Sequence, residues 1–313
     1  MANEVVTVDN LVKRYGDKIA VEHFSLHIRE GEILGLLGPN GSGKTTTINC
    51  ILSLLKYDRG EIRIFGEKMT PSSYALKKRI GVVMQNVAVV ESLNVYENID
   101  FFCGLYVKDK AKRRELVEEA IATTELQDYR KYLPKKLSGG LLRRLNIACG
   151  IAHKPELIIF DEPTVAVDPQ SRNAILDGIR KLNREGATII YTSHYMEEVE
   201  ELCSRIVVID KGKNLVDGTV AQLKGKLRNS ETLTVETSSV TDEHINGLLK
   251  INHIYDVTKS GEKLIIKCDG GSHNLINVMN YLMENNVEFG RVNAETPTLN
   301  DVFLEITGKE LRD

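Results

Sequence analysis

Up to about residue 220, short apolar runs alternate with polar breaks punctuated by glycine. Residues 4–8 alternate weakly and residues 20–28 more clearly, so each reads as a strand with one face inward. Ile33–Leu37 is apolar, too short for a helix and bounded by glycines, the pattern of a strand buried on both faces. A glycine-rich loop follows, then a helix carrying Ile48, Leu52 and Leu55 on one face. Residues 80–84 predict another strand, and the polar stretch from about 94 to 136 is rich in helix. Residues 157–160 form a second buried strand, followed by a helix over 171–185 and strands over 188–192 and 206–210. Strands alternating with helices predict an α/β core.

After about Ala221 the texture changes. Residues 232–237 predict a strand and 242–250 a helix. Residues 253–258 and Lys263–Cys268 predict strands parted by Ser260 and Gly261. Ser272 can cap a helix carrying Leu275, Met279 and Leu282, and 287–292 predict one more strand. The order β-α-β-β-α-β is that of a ferredoxin-like split unit. A last short helix starts at Thr298, with Asp301 three residues on as a capping box. Its apolar positions Leu299, Val302, Phe303 and Ile306 share one side. That side buries either in its own domain or against the first domain or a second copy.

The bulk numbers narrow the class. A length of 313 residues predicts two domains, placed at 1–220, with a helical insertion at about 86–150, and 221–313. At 42% hydrophobic and 27% charged the balance is that of a globular chain. A net charge of -3 gives no nucleic-acid footprint. Cys50, Cys103, Cys149, Cys203 and Cys268 are scattered, odd in number and never in a CxxC, which fits a reducing compartment rather than a disulfide framework or zinc site. No apolar run approaches a spanning helix, and residues 1–10 show no signal-peptide pattern.

Two motifs carry chemistry. The run Gly38, Pro39, Asn40, Gly41, Ser42, Gly43, Lys44, Thr45 fits GxxxxGK[ST]. Glycines let successive N–H groups turn inward around an anion, and the loop feeds a helix N-terminus that favours phosphate. Lys44 adds a point charge, and the Thr45 hydroxyl suits a magnesium ion. The plain alternative is a glycine-rich turn, but the strand before and the helix after are the context a phosphate loop needs. The second motif is Asp161-Glu162-Pro163, at the end of an apolar strand where open α/β sheets bind ligands. Alone, the pair divides evenly between structural acids and a site. Beside a phosphate loop it reads as a magnesium carboxylate, Asp161, and a general base for an attacking water, Glu162.

Between the two lies Leu137-Ser138-Gly139-Gly140. With it, residues 4–220 resemble the ABC ATPases: a phosphate loop, Gln85 after a strand, LSGG, the acidic pair, then His194 after another strand. The resemblance implies an ATP-hydrolysing P-loop cassette with ATP and Mg²⁺ as cofactors. It places Thr46 beside Thr45 in the ATP cradle. Tyr15 stacks on adenine, or else is a turn tyrosine. The same resemblance implies that Gln85 touches magnesium and the water and that His194 contacts the γ-phosphate. Ser138, Gly139 and Gly140 grip the γ-phosphate of ATP held by a second copy, giving a homodimer with ATP at its interface, and Asp168 links the two sites. The sequence departs from the family at Leu141, where a glutamine is usual, and at Val165-Ala166-Val167-Asp168, so signature contacts are expected to be weakened and catalysis kept.

The run from Ser193 to Cys203 and the ending from Pro297 to Gly308 are similar to bacterial daunorubicin/doxorubicin-type resistance ATPases. That likeness implies an exporter motor at the cytoplasmic face of the membrane, peripheral to it. It would serve a separate ABC-2-type transmembrane permease, with no nucleic-acid partner. The other readings are a soluble ATPase acting on ribosomes or DNA, and an ATP-binding regulatory subunit of low turnover. The basic run from Lys108 to Arg114 reads as a solvated helix face interleaved with Asp109 and Glu115, or as a contact for anionic lipid.

Overall fold

Strand pairing decides where this chain can do chemistry. A computed structural model describes residues 3–225, 231–269, 273–295 and 298–307, the last four by backbone only. These fall into two compact units that divide between Thr219 and Val220.

In the first unit, β1 (Glu4–Tyr15) and β2 (Lys18–Arg29) form an antiparallel hairpin, turning at Gly16 with φ 56°. β1 was expected to stop at Val8. It continues to Tyr15 because it pairs on both sides, and register shifts around Asn10 (φ 52°) absorb the polar residues. β3 (Ile33–Leu37) is buried at every position, as its apolar run predicts. α1 (Lys44–Ile51) buries Ile48, while Leu52 caps it and Leu55 packs on the core beyond its end. β4 (Arg59–Ile64) and β5 (Glu67–Lys68) complete a sheet in the order β2-β1-β4-β5. The sequence reading missed β4, since Arg59 and Gly60 hide a strand whose inward residues are only Ile62 and Ile64.

After α2 (Tyr74–Lys77) and β6 (Ile80–Val83) the chain makes three helices, α3 (Val95–Gly104), α4 (Lys110–Thr123) and α5 (Gly139–Ile151). α3 is closed by a full capping box between Asn94 and Glu97. The basic run is the start of α4: Asp109 caps it, Lys112 pairs with Glu115, and Arg113 pairs with Asp100. Then follow β7 (Leu157–Asp161), α6 (Pro169–Arg184), β8 (Thr188–Ser193), α7 (Met196–Leu202), β9 (Arg205–Asp210) and β10 (Lys213–Gly218). The second sheet has the order β10-β9-β3-β8-β7-β6, parallel except for β10. β3, β8, β7 and β6 are therefore neighbours pointing the same way. The loops that leave their C-terminal ends carry the phosphate loop, His194, Glu162 and Gln85, the edge where open α/β sheets bind ligands.

The second unit has its own core. α8 (Val220–Lys224) leads to β11 (Glu231–Glu236), α9 (Asp242–Leu248), β12 (Ile254–Ser260), β13 (Lys263–Cys268), α10 (Asn274–Glu284), β14 (Val292–Glu295) and α11 (Leu299–Thr307). The antiparallel sheet order is β12-β13-β11-β14, which is the ferredoxin-like arrangement. Leu233, Val235, Leu264 and Ile266 line its inner face with Val278 and Leu282 of α10. Two readings change. Leu275 is exposed and Met279 half-buried, and the inward stripe is Asn274, Val278 and Leu282, each four residues apart. The strand expected at 287–292 begins only at Val292. Val287 instead closes the end of α10, its N–H donating to the Leu282 carbonyl beside Asn286 at φ 53°. The Ser272 cap, Pro297 and the Ile306 side chain lie outside the described residues. At α11 the capping box forms, with Thr298 and Asp301 bonded reciprocally.

Candidate active site

The loop from Gly38 to Gly43 takes its shape from three glycines. Gly41 and Gly43 sit at φ 79° and 111°, where side chains are strained. A Cβ on Gly43 would stand 2.7 Å from the Ala20 carbonyl, and one on Gly38 would stand 2.2 Å from the Ile209 carbonyl. The loop is thus wedged between β2 and the end of β9. The turn after β9 supports it: Gly212 N–H donates to the Ser42 carbonyl at 2.8 Å. Nothing in the residue pattern announced that support. Lys44, 6% exposed, donates to the carbonyls of Gly38 (2.6 Å) and Pro39 (3.3 Å) and stands 3.6 Å from Glu162 Oε1. Burial lowers its pKa, opposed by the charges of Glu162 and Asp161.

Asp161 is fixed from two sides. Its Oδ2 accepts from Thr45 Oγ1 at 3.2 Å and its Oδ1 from Thr192 Oγ1 at 2.6 Å. Glu162 is held by its backbone, whose N–H donates to Thr192 Oγ1 at 2.9 Å, and its φ of 49° is left-handed. A non-glycine residue held there costs about 1–3 kcal/mol, strain that recurs at functional sites. Gln85 Nε2 donates to Glu162 Oε2 at 3.5 Å, and His194 Nδ1 stands 3.2 Å from the same oxygen without hydrogen-bond geometry. Asp161, Glu162, Gln85, His194, Lys44 and Thr45 therefore converge, as the sequence predicts. Thr192 was not foreseen, although it is the residue of β8 in register with Asp161.

A cleft of about 570 Å³ opens beside them. Tyr15, Asn40, Gly41, Gly43, Lys44, Thr45, Thr46, Gln85 and Glu162 line it, joined by Lys18 and Lys211, which the sequence reading left out. Pro39 is an acceptor of Lys44 rather than a wall. Ser138, Gly139 and Gly140 are not among the walls. Ser138 caps α5, accepting from Leu141 N–H at 3.3 Å, so the residue that departs from the family keeps its backbone in use. A Cβ on Gly139 would meet nothing, whereas one on Gly140 would stand 2.2 Å from Ser171 Oγ and 2.7 Å from Asp168 Oδ2. Asp168 in turn caps α6 by accepting from Ser171 N–H at 2.9 Å. The signature and Asp168 thus meet each other across two helix N-termini.

Two further residues join α5 to the Gln85 loop. Arg143, buried, donates to the carbonyls of Met84 (3.2 Å) and Gln85 (2.7 Å). Burial lowers its pKa against the pull of Glu162. Asn146 accepts from Ala88 N–H at 3.0 Å and donates to the Met84 carbonyl. Their only sequence signal is polarity at inward helix positions. Among the described residues no cluster of three or more His, Cys, Asp or Glu side chains is arranged for a metal, and no helix is long and apolar enough to cross a membrane. The oxygens of Asp161 and Thr45 fit magnesium, which binds through one or two protein oxygens plus phosphate and water.

Known proteins resemble this chain along its whole length. Residues 21–165 match the ABC transporter family and residues 218–307 match the C-terminal domain of DrrA1-3-like ATP-binding proteins. The linearmycin resistance ATP-binding protein LnrL of Bacillus subtilis (strain 168) is 36% identical over 312 residues, spanning 99% of this chain and 100% of its own. The daunorubicin resistance ATP-binding protein DrrA3 of Streptomyces coeruleorubidus is 32% identical, over 100% of this chain and 98% of its own. A solved dimeric bacterial ABC transporter cassette superposes with a TM-score of 0.63 at 28% identity, covering 68% of this chain and 98% of that one. With two full-length relatives above 30% identity and matches at both ends, the chain belongs to the ABC ATPases, as an ATP-binding subunit of the drug-resistance exporter type.

Proposed function

We propose that two copies of this chain close on two ATP molecules and use their hydrolysis to drive efflux of a drug, antibiotic or other amphiphile through a separate ABC-2-type permease, from the cytoplasmic face of the membrane. The convergence of Lys44, Gln85 and His194 on Glu162 is the observation that carries the reading. In it, the amides of residues 38–46 and Lys44 hold the outer phosphates, and Tyr15 stacks on the base. Thr45, Asp161 and Gln85 would hold magnesium, whose charge would offset that of the phosphates. Glu162 takes the proton of the attacking water, which Gln85 orients, and His194 holds the γ-phosphate. Ser138, Gly139 and Gly140 serve the second copy's ATP. Within one chain Gly140 packs against Ser171 and Asp168 while Gly139 is left open, which supports this. The solved dimeric relative supports the pairing. Residues 221–313 are read as an accessory domain, since the chemistry lies upstream.

The test is Glu162→Gln. Turnover falls by about 10²–10⁴-fold, the usual share of a general base. ATP binding persists, and a dimer accumulates with ATP on a sizing column. Near-parental turnover in this variant removes Glu162 from the role.

A further inference from the structure

Glu198 is fully buried, on α7, four residues after His194. A carboxylate removed from water costs several kcal/mol unless its oxygens are matched. Here three segments supply partners: hydroxyls bond to Oε2, while Oε1 makes no hydrogen bond and is met by a cation alone. Oε2 accepts from Tyr191 Oη (2.5 Å), Thr164 Oγ1 (2.8 Å) and Ser193 Oγ (3.1 Å). Arg172 Nε stands 2.6 Å from Oε1. Tyr191 and Ser193 belong to the end of β8 that presents His194. Thr164 lies two residues past Glu162. Arg172 stands in the first turn of α6, and its N–H donates to the Asp168 carbonyl at 2.9 Å.

The same partners embrace His194 from both sides. Ser193 Oγ accepts from Tyr195 N–H at 2.9 Å while donating to Glu198. The Tyr195 ring packs against the His194 ring, centroids 4.2 Å apart, and the Arg172 guanidinium lies 5.6 Å from the Tyr195 centroid. An apolar side chain of this size would fill the space but join nothing.

We propose that Glu198 is a positioning residue. It locks the His194 loop, the segment after Glu162 and the helix start capped by Asp168 into one body, so that the γ-phosphate contact and the dimer-facing Asp168 keep a set spacing. This rests on the roles read above for His194 and Asp168. Glu198 acts through His194, touching neither nucleotide nor water.

The experiment is steady-state ATP hydrolysis by the full-length chain carrying Glu198→Gln, Arg172→Met, His194→Ala, and Glu198→Gln combined with His194→Ala. Glu198→Gln is expected to lower kcat by about 10- to 100-fold, the effect of misplacing a catalytic group by a fraction of an ångström to one ångström. KM for ATP should stay within about twofold, because the Lys44 cradle is untouched. Arg172→Met, at a partly exposed position that should tolerate replacement, loses a similar factor, so the test survives a folding failure at Glu198. Added to His194→Ala, Glu198→Gln costs nothing more, because coupled neighbours are not additive. Full multiplication of the two losses means that Glu198 serves stability alone and overturns the proposal, as does a parental kcat in both Glu198→Gln and Arg172→Met. A parental kcat in His194→Ala by itself refutes the role of His194, whatever Glu198→Gln shows, and removes the basis of the proposal.

Discussion

Tyr15 keeps 51% of its surface exposed at the mouth of the cleft, with Lys13 Nζ 5.0 Å from its ring centroid. A turn tyrosine with no task would have no reason to wall a nucleotide-sized space. Stacking an aromatic ring on a base is worth about 1–3 kcal/mol, so Tyr15→Ala should raise the KM for ATP several-fold while kcat holds. Tyr15→Trp should leave KM near the parental value. An unchanged KM in the alanine variant, read from initial rates across ATP concentrations, returns Tyr15 to a turn residue. Tyr15 and Glu162 also mark what one sequence discloses at this scale. Residues with fixed spacing to their own neighbours, such as Lys44, Thr45, Asp161 and Glu162, could be placed from sequence because local backbone sets where they stand. Thr192, Arg143, Gly212 and Glu198 were not, since their meaning depends on strand register and on a helix brought alongside from elsewhere in the chain.

Strands fared better than helix faces for the same reason. A parallel strand buried on both sides is written in apolar residues, as in β3 and as in β7 up to its terminal Asp161. An edge strand such as β14, mostly exposed, has no alternation to read. A short amphipathic helix offers two plausible stripes, and α10 buried the one carrying Val278 and Leu282. The helix starts at the signature make a sharper prediction. Gly140→Ala must push α5 away from Ser171 in the first turn of α6 and from Asp168, its N-cap, so the isolated chain should lose about 1–3 kcal/mol of stability. Gly139→Ala meets open space at the first position of α5, where alanine adds no clash and restricts the unfolded chain. Its melting temperature should therefore hold or rise, while turnover falls because the added methyl stands where a second copy's phosphate is read to dock. Melting curves and ATPase rates of the two variants separate the cases. A Gly139→Ala chain with full turnover counts against the signature acting across a dimer.

At the scale of the whole chain, every residue given a part in ATP chemistry lies in the first unit, and each unit has a hydrophobic core to itself. The last helix bears on what the second unit does. Its apolar positions Leu299, Val302 and Phe303 are each only 2% exposed, and α11 packs beside α8, whose Leu223 is fully buried. The face that sequence left open to its own domain, the first domain or a second copy is thus already covered within the chain, which weakens it as a tether between copies. Truncation after Gly218 removes α8 and α11 together, so it strands neither partner of that contact. The remaining unit keeps β10 paired with β9 and the Gly212 support beneath the phosphate loop. ATP affinity of the truncated chain should therefore lie near that of the parent, since every residue read into ATP chemistry is retained. If the second unit assists assembly through another surface, nucleotide-free dimers on a sizing column or export in cells should decline. If it restrains the cassette, ATP turnover should climb well above the parent instead. A truncated chain that loses ATP binding outright would show that the two units depend on each other, against the separation of their cores.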